Sequence, residues 1–216
     1  MGGAPQLGFR GAADRWGGAV LLLHGGQATS RTAVGRLNPA LVRMWPFATA
    51  IERRVGRGDV GIALLRNRYR GWNGTDADPV ADAVWALGEI ARRHGPVPVV
   101  LVGHSMGGRA ALRAAGYASV TSVVALAPWI TEDEPVEQLA GRDVLIAHAE
   151  RDRVTDPAAS RAYARRAEPV AAHVEFRSVD RGDHAMLRGA AEWHRMVASF
   201  VAMRLVGAEG LRSGGG

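Results

Sequence analysis

Six short apolar runs punctuate the chain, at residues 19–23, 60–65, 97–102, 120–126, 144–147 and 173–179. Most are near-continuous Val, Leu, Ile and Ala, not alternating apolar and polar, so they predict strands covered on both faces. Between them, apolar positions recur at helical spacing. Helices are expected over residues 40–55, from 78 to about 93, over 106–115, from 156 to about 167, and over 189–206. Asp78-Pro79 and Asp156-Pro157 each supply a capping side chain followed by proline at the first helical position. Strands alternating with helices imply right-handed crossovers. The expected fold is therefore α/β, a doubly wound and mostly parallel sheet of about six to seven strands with helices on both faces. Ligands of such a sheet sit at the carboxyl ends of its strands.

The length of 216 residues suits one domain, expected over 1–212, with the tail Ser213-Gly214-Gly215-Gly216 too poor in packing side chains to hold a shape. Hydrophobic residues make up 47% and charged residues 22%, the balance of a soluble globular protein. Cys is absent, which excludes disulfides, Cys-ligated zinc, Fe–S clusters and a thiol nucleophile. No stretch reaches the ~18 apolar residues of a membrane span. Residues 1–18 hold no apolar core of a signal peptide, so a cytoplasmic location is expected.

The net charge is +6, and all 27 basic residues are Arg. The excess falls in residues 1–108, with 13 Arg against 7 acids, while the second half balances at 14 against 14. These Arg are scattered in ones and twos with no basic run among aromatics, so a nucleic-acid partner is not expected.

The segment Val99-Val100-Leu101-Val102-Gly103-His104-Ser105-Met106-Gly107-Gly108 runs from a buried strand into a small-residue helix. Gly-x-Ser-x-Gly in that setting is a nucleophile elbow: the turn is tight enough to need small residues around the serine, whose strained backbone lifts its hydroxyl off the sheet. A serine hydroxyl attacks only when a base takes its proton and a third group orients that base. Asp152 follows the run at 144–147 and His184 follows the run at 173–179, so both leave strand ends at the same edge. A tetrahedral intermediate also needs oxyanion donors. The strand at 19–23 ends in His24-Gly25-Gly26-Gln27, which points to the N–H of Gly26, with Gln27 as the nearby alternative. The second donor is the N–H of Met106, at a helix N-terminus.

Five segments in this order resemble the α/β-hydrolase family over residues 19–206: His24-Gly25-Gly26, Arg70-Gly71-Trp72-Asn73-Gly74, the elbow, residues 150–157 (Glu-Arg-Asp-Arg-Val-Thr-Asp-Pro) and Gly182-Asp183-His184. The resemblance implies acyl-group hydrolysis by a Ser105–His184–Asp152 triad, without cofactor or metal, on a small ester or thioester. A cofactor-free perhydrolase of the haloperoxidase type and a non-catalytic ligand-binding protein are the alternatives. Two departures stand out. Trp72-Asn73 replaces the smaller residues usual in the second motif. Only residues 6–10 can supply one of the family's first two antiparallel strands, so the sheet is expected to be trimmed at that edge. Residues 129–142, where many members insert a lid, are too few for a cap domain.

Other candidates compete for these roles. Asp133, Asp156 and Asp183 are rivals to Asp152. His104 and His24 read as polar packing around the elbow and oxyanion loop, and His148 as a buried histidine or a second group reaching the site. His94, His173 and His194 lack strand-end context, and no two histidines have metal-ligand spacing. Gln27, Trp72, Trp129 and Met186 are candidate pocket walls. Arg66, Arg68 and Arg70 either select an anionic substrate or serve the fold.

Overall fold

The computed structural model describes residues 3–11, 15–56, 59–180 and 182–206; the tail at 213–216 lies outside them. The strands are β1 (Gln6–Arg10), β2 (Gly18–Leu23), β3 (Val60–Arg66), β4 (Val99–His104), β5 (Val120–Leu126), β6 (Asp143–Ala149) and β7 (His173–Val179). They form one sheet in the order β1-β3-β2-β4-β5-β6-β7, parallel except for β1, which runs antiparallel to β3. The expected trimmed edge is observed: β1 is the one antiparallel strand among the described residues, alternately exposed and half-buried as an edge strand should be.

The central strands are buried along their whole length, as their unbroken apolar runs require. Leu21, Leu23 and Leu101 face a layer made by α3 (Asp78–His94), α4 (Met106–Ala114) and α5 (Pro157–Ala167). Val20, Leu22, Val100 and Val102 face α2 (Trp45–Val55) and α6 (Ala190–Leu205). Each fully buried leucine contributes roughly 1.5–3 kcal/mol, so the two layers clamp β2 and β4, the strands that carry the oxyanion loop and the elbow.

Two helix starts differ from expectation. The single helix predicted over 40–55 is broken into α1 (Pro39–Val42) and α2, because Pro46 has no N–H to offer the carbonyl of Val42 and its ring crowds that carbonyl. Asp78 does not cap α3. Ala77, in the left-handed region at φ 44°, precedes the helix, and the Asp78 carboxylate instead accepts from Asn73 Nδ2 at 2.8 Å. Asp156 caps α5 as its sequence implies, accepting from the N–H of Ala158 at 2.8 Å.

The connection between β5 and β6 holds only a short 3₁₀ turn at Glu137–Leu139, and among the described residues no cap domain stands over the sheet. It is tied to α4 through Glu134, which is fully buried and accepts from Arg109 Nε at 2.5 Å and from Arg113 Nε.

Candidate active site

Ser105 sits between β4 and α4 at φ 55° and ψ −117°, a conformation that side-chain-bearing residues rarely adopt. Its N–H donates to Leu126 O at 2.9 Å, and its carbonyl accepts from Arg109 N at 3.1 Å and Trp129 N at 3.2 Å, which holds the strained turn in place. The flanking glycines are required by close approach. A Cβ on Gly103 would lie 2.1 Å from Gly107 O, and one on Gly107 would lie 2.4 Å from Leu23 O. The elbow is thus seated directly on the backbone of β2.

His184 reaches this turn from the segment after β7. Ser105 Oγ lies 3.1 Å from His184 Nε2, and His184 Nδ1 lies 2.7 Å from Asp152 Oδ2. The acid's other oxygen, Oδ1, accepts from the N–H groups of Val154 at 2.7 Å and Thr155 at 3.2 Å, a tight Asx-type turn after β6. Burial pushes the Asp152 carboxyl up, but the bonds from His148, His184 and the two backbone N–H groups outweigh it and hold the group well below the ordinary carboxylate range. Asp152 stays ionised beside a histidine whose Nδ1 proton it accepts.

Two further histidines brace this line. His104 Nε2 donates to the His184 carbonyl at 2.7 Å, and burial with the nearby His184 lowers its pKa to about 3, so it is neutral. His24 Nδ1 donates to Gly25 O at 2.6 Å while Nε2 accepts from the N–H of Asn67 at 3.2 Å. Burial lowers the His24 pKa to about 4 despite that bond, with Arg66 adding to the effect. Both side chains serve as polar packing around the elbow and the oxyanion loop.

The loop after β2 is sewn to residues 69–73. Gln27 N donates to Arg70 O at 2.8 Å, Trp72 N to Gln27 O at 2.9 Å and Gly71 N to Ser30 O at 3.0 Å. Asn73 takes the left-handed conformation that asparagine tolerates, and its Oδ1 accepts from Ser30 N at 2.8 Å. These bonds correct one expectation: the Gln27 N–H is committed to Arg70 and is not a free donor, and its side chain is exposed. Among the described residues, no partner engages the N–H of Gly26 or of Met106. A Cβ at Gly26 would meet Arg70 O at 2.3 Å and the Met106 side chain at 2.4 Å, so only glycine fits where this loop crosses the elbow.

The tentative pocket residues divide. Trp72 and Trp129 pack edge to face with centroids 6.2 Å apart and line a cavity of about 590 Å³ with Ala28, Thr29, Arg109 and Arg113. The Arg109 guanidinium lies 4.1 Å from the Trp72 ring and 4.8 Å from the Trp129 ring. Burial pulls its pKa below the ordinary arginine value, against the pull of Glu134. Met186 is instead buried in the layer beneath α6 and does not line this cavity. A larger cavity of about 940 Å³ lies against β1, α2 and the start of α6; His194 lines it, and none of the triad, oxyanion or pocket-wall candidates does.

The remaining candidates find other work. Asp183 Oδ1 accepts from the N–H groups of Leu187 and Arg188, Asp156 caps α5, and Asp133 is exposed. Arg66 donates to Val34 O at 2.6 Å and Arg68 pairs with the buried Asp82 at 2.6 Å, so both serve the fold. His94 stacks on Trp16, His194 packs edge-on against Phe47, and His173 is exposed. Sequence reasoning missed Thr155, whose Oγ1 stands 3.0 Å from Asp152 Oδ2 and 3.1 Å from His184 Nδ1; its place three residues after the acid, in an Asx-type turn, was the available signal. Among the described residues, no group of three or more His, Cys, Asp or Glu is placed to hold a metal ion, and no helix is long and apolar enough to cross a membrane.

Residues 20–213 match the model of the alpha/beta hydrolase family. The chain belongs to that family. No curated protein sequence matches it. Among solved structures, an alpha-beta serine hydrolase homologue from Coxiella burnetii superposes with a TM-score of 0.69 at 14% identity, covering 92% of each chain. A thermophilic esterase from the planctomycete Thermogutta terrifontis, solved with butyrate bound, gives 0.69 at 16% identity over 98% of this chain and 92% of its own. An a/b serine hydrolase without lid from Xanthomonas campestris gives 0.63 at 16% identity over 93% and 89%. As an α/β hydrolase the chain thus shares its overall architecture with proteins of very different sequence.

Proposed function

We propose that the chain is a serine hydrolase that cleaves carboxylic esters, and thioesters by the same route, through an acyl-enzyme on Ser105. One observation carries the reading: an unbroken line from Ser105 Oγ to His184 Nε2 at 3.1 Å and from His184 Nδ1 to Asp152 Oδ2 at 2.7 Å. Family membership and the esterase and serine hydrolase neighbours from Thermogutta terrifontis and Xanthomonas campestris point the same way.

In this reading Ser105 Oγ attacks the acyl carbon as its proton passes to His184 Nε2. The carbonyl oxygen becomes an oxyanion that accepts from the N–H groups of Gly26 and Met106, the second at the N-terminus of α4, where the helix dipole favours negative charge. Collapse breaks the bond to the alcohol or thiol, which leaves with the proton from His184. Water then attacks the acyl-enzyme, again giving its proton to His184, and the carboxylic acid departs as Ser105 regains its hydrogen. Asp152 keeps the His184 proton on Nδ1 and stabilises the imidazolium. Trp72 and Trp129 form a wall of the acyl site, and the short β5–β6 connection leaves it open, which favours small or accessible acyl groups.

The test is a chain-length series of p-nitrophenyl esters and acyl thioesters on the wild-type protein and Ser105→Ala. Turnover of short-chain esters that is lost in the variant is the expected result. Peroxide-dependent bromination with negligible ester turnover would replace this reading with a perhydrolase.

A further inference from the structure

His148, on β6, is completely buried, and the reaction outlined above gives it no task. Both of its nitrogens are nevertheless engaged. Nε2 lies 3.2 Å from Asp152 Oδ2, and Nδ1 lies 2.8 Å from Ser160 Oγ on the first turns of α5. The oxygen that orients His184 is therefore shared by two imidazoles, one at 2.7 Å and one at 3.2 Å, and only His184 reaches Ser105.

The contacts fix the direction of donation. A lone pair on His148 Nε2 facing a carboxylate oxygen would be repelled, so Nε2 carries the proton and donates to Oδ2. Nδ1 then accepts from the Ser160 hydroxyl, which has no other partner among the described residues. Ser160 to His148 to Asp152 is a fully satisfied buried chain, of the kind in which each bond polarises the next. Thr155 Oγ1, 3.2 Å from His148 Nε2 and 3.0 Å from Asp152 Oδ2, closes the cluster.

Resting on the serine-hydrolase reading, we infer that His148 is a positioning residue that sets the basicity of His184 through their shared Asp152 oxygen. Its bond draws negative charge from Oδ2, which weakens the hold of Asp152 on the protonated form of His184. A less basic His184 is a free base at lower pH and a readier acid when it returns the proton to the leaving group. The other charged or titratable groups near His184 are neutral His104, which bonds its carbonyl and itself feels Arg43, and Asp180, Asp183, Arg151, Arg153 and Arg188, which line one cavity with it. A change at position 148 alters none of these charges.

The experiment is the pH profile of kcat/KM for a p-nitrophenyl ester, with the His184 imidazole followed by NMR titration in the same proteins. His148→Phe keeps a flat buried ring but removes the donor. It moves the acidic limb, and the His184 titration, upward by about half to one pH unit, a loss of up to tenfold in activity below the limb. His148→Gln, whose amide can still donate to Oδ2, stays near the wild-type limb. Ser160→Ala leaves the imidazole in place and gives a smaller shift of the same sign, which serves if the Phe variant does not fold. An unmoved His184 titration in folded His148→Phe, or in Ser160→Ala if the Phe variant does not fold, overturns the inference. Absence of Ser105-dependent turnover in the wild type would instead defeat the hydrolase reading, and the NMR titration would still decide whether His148 acts on His184.

Discussion

Replacing Gly107 by alanine tests whether the seat of the elbow on β2 is what aligns the site. The new Cβ would lie 2.4 Å from Leu23 O and 2.5 Å from His24 O, both backbone atoms that cannot rotate away. Carbon–oxygen contacts settle near 3.3 Å or more, so α4 and the oxyanion loop must part by about 0.8–1 Å. That gap opens between Ser105 and Gly26, and a misplacement of about 1 Å costs roughly 10²-fold in rate. Overpacking of this kind also destabilises by about 1–3 kcal/mol, or roughly 2–12 °C in Tm at this chain length. Helix propensity alone would favour alanine by ~1 kcal/mol, so a net loss measures the clash. Gly35→Ala, where a Cβ meets nothing within 4 Å, is the control and should match wild type. The assay is kcat/KM on a short-chain p-nitrophenyl ester alongside a thermal melt. A folded Gly107→Ala protein with kcat/KM within threefold of wild type would refute the argument.

Asp152→Asn keeps the shape but cannot hold the His184 proton on Nδ1, and kcat should fall about 10⁴-fold in protein that is still folded; a loss under tenfold would remove Asp152 from its role. Glu134→Ala strands the buried Arg109 without its carboxylate and should cost about 3 kcal/mol or more, read as a lower Tm; an unchanged Tm would mean the strap between α4 and residues 127–142 is dispensable. Acid should destabilise the fold in a defined window. Unfolded histidines take up protons near pH 6.5, whereas folded His24 and His104 do so only near 4 and 3, so the unfolded state binds more protons as pH falls below 6.5 and stability drops. Asp152, held low in the fold, adds a further loss that begins below about pH 4, the unfolded carboxyl value, and continues as pH falls toward its lower folded one. A Tm that stays flat from pH 6.5 to 4.5 would contradict both assignments.

The inner strands were legible because parallel strands buried on both faces read as near-continuous apolar runs: residues 120–126 match β5 at both ends, while β7, an edge strand of mixed sequence and partial exposure, was legible from its β-branched and aromatic residues instead. The elbow was legible because its glycines answer a local steric demand that Gly103 and Gly107 meet within five residues. What the chain did not disclose is decided by contacts distant in sequence. Arg109 and Glu134 are 25 residues apart, and their pairing fixes how the β5–β6 connection lies. Gln27 looked like a spare donor until the segment at 69–73 claimed its N–H. Met186 has the composition of a pocket wall but turns into the α6 layer, at φ 56°. The break between α1 and α2 was readable from Pro46, whose missing N–H outweighs the apolar periodicity that runs through it.

Labelling with a fluorophosphonate probe, followed by peptide mass mapping, tests most directly whether His184 activates Ser105. The expected result is a single adduct on Ser105, formed at least 10²-fold more slowly in His184→Ala and absent in Ser105→Ala. A folded wild-type protein that takes no label, or takes it equally fast without His184, would contradict the account.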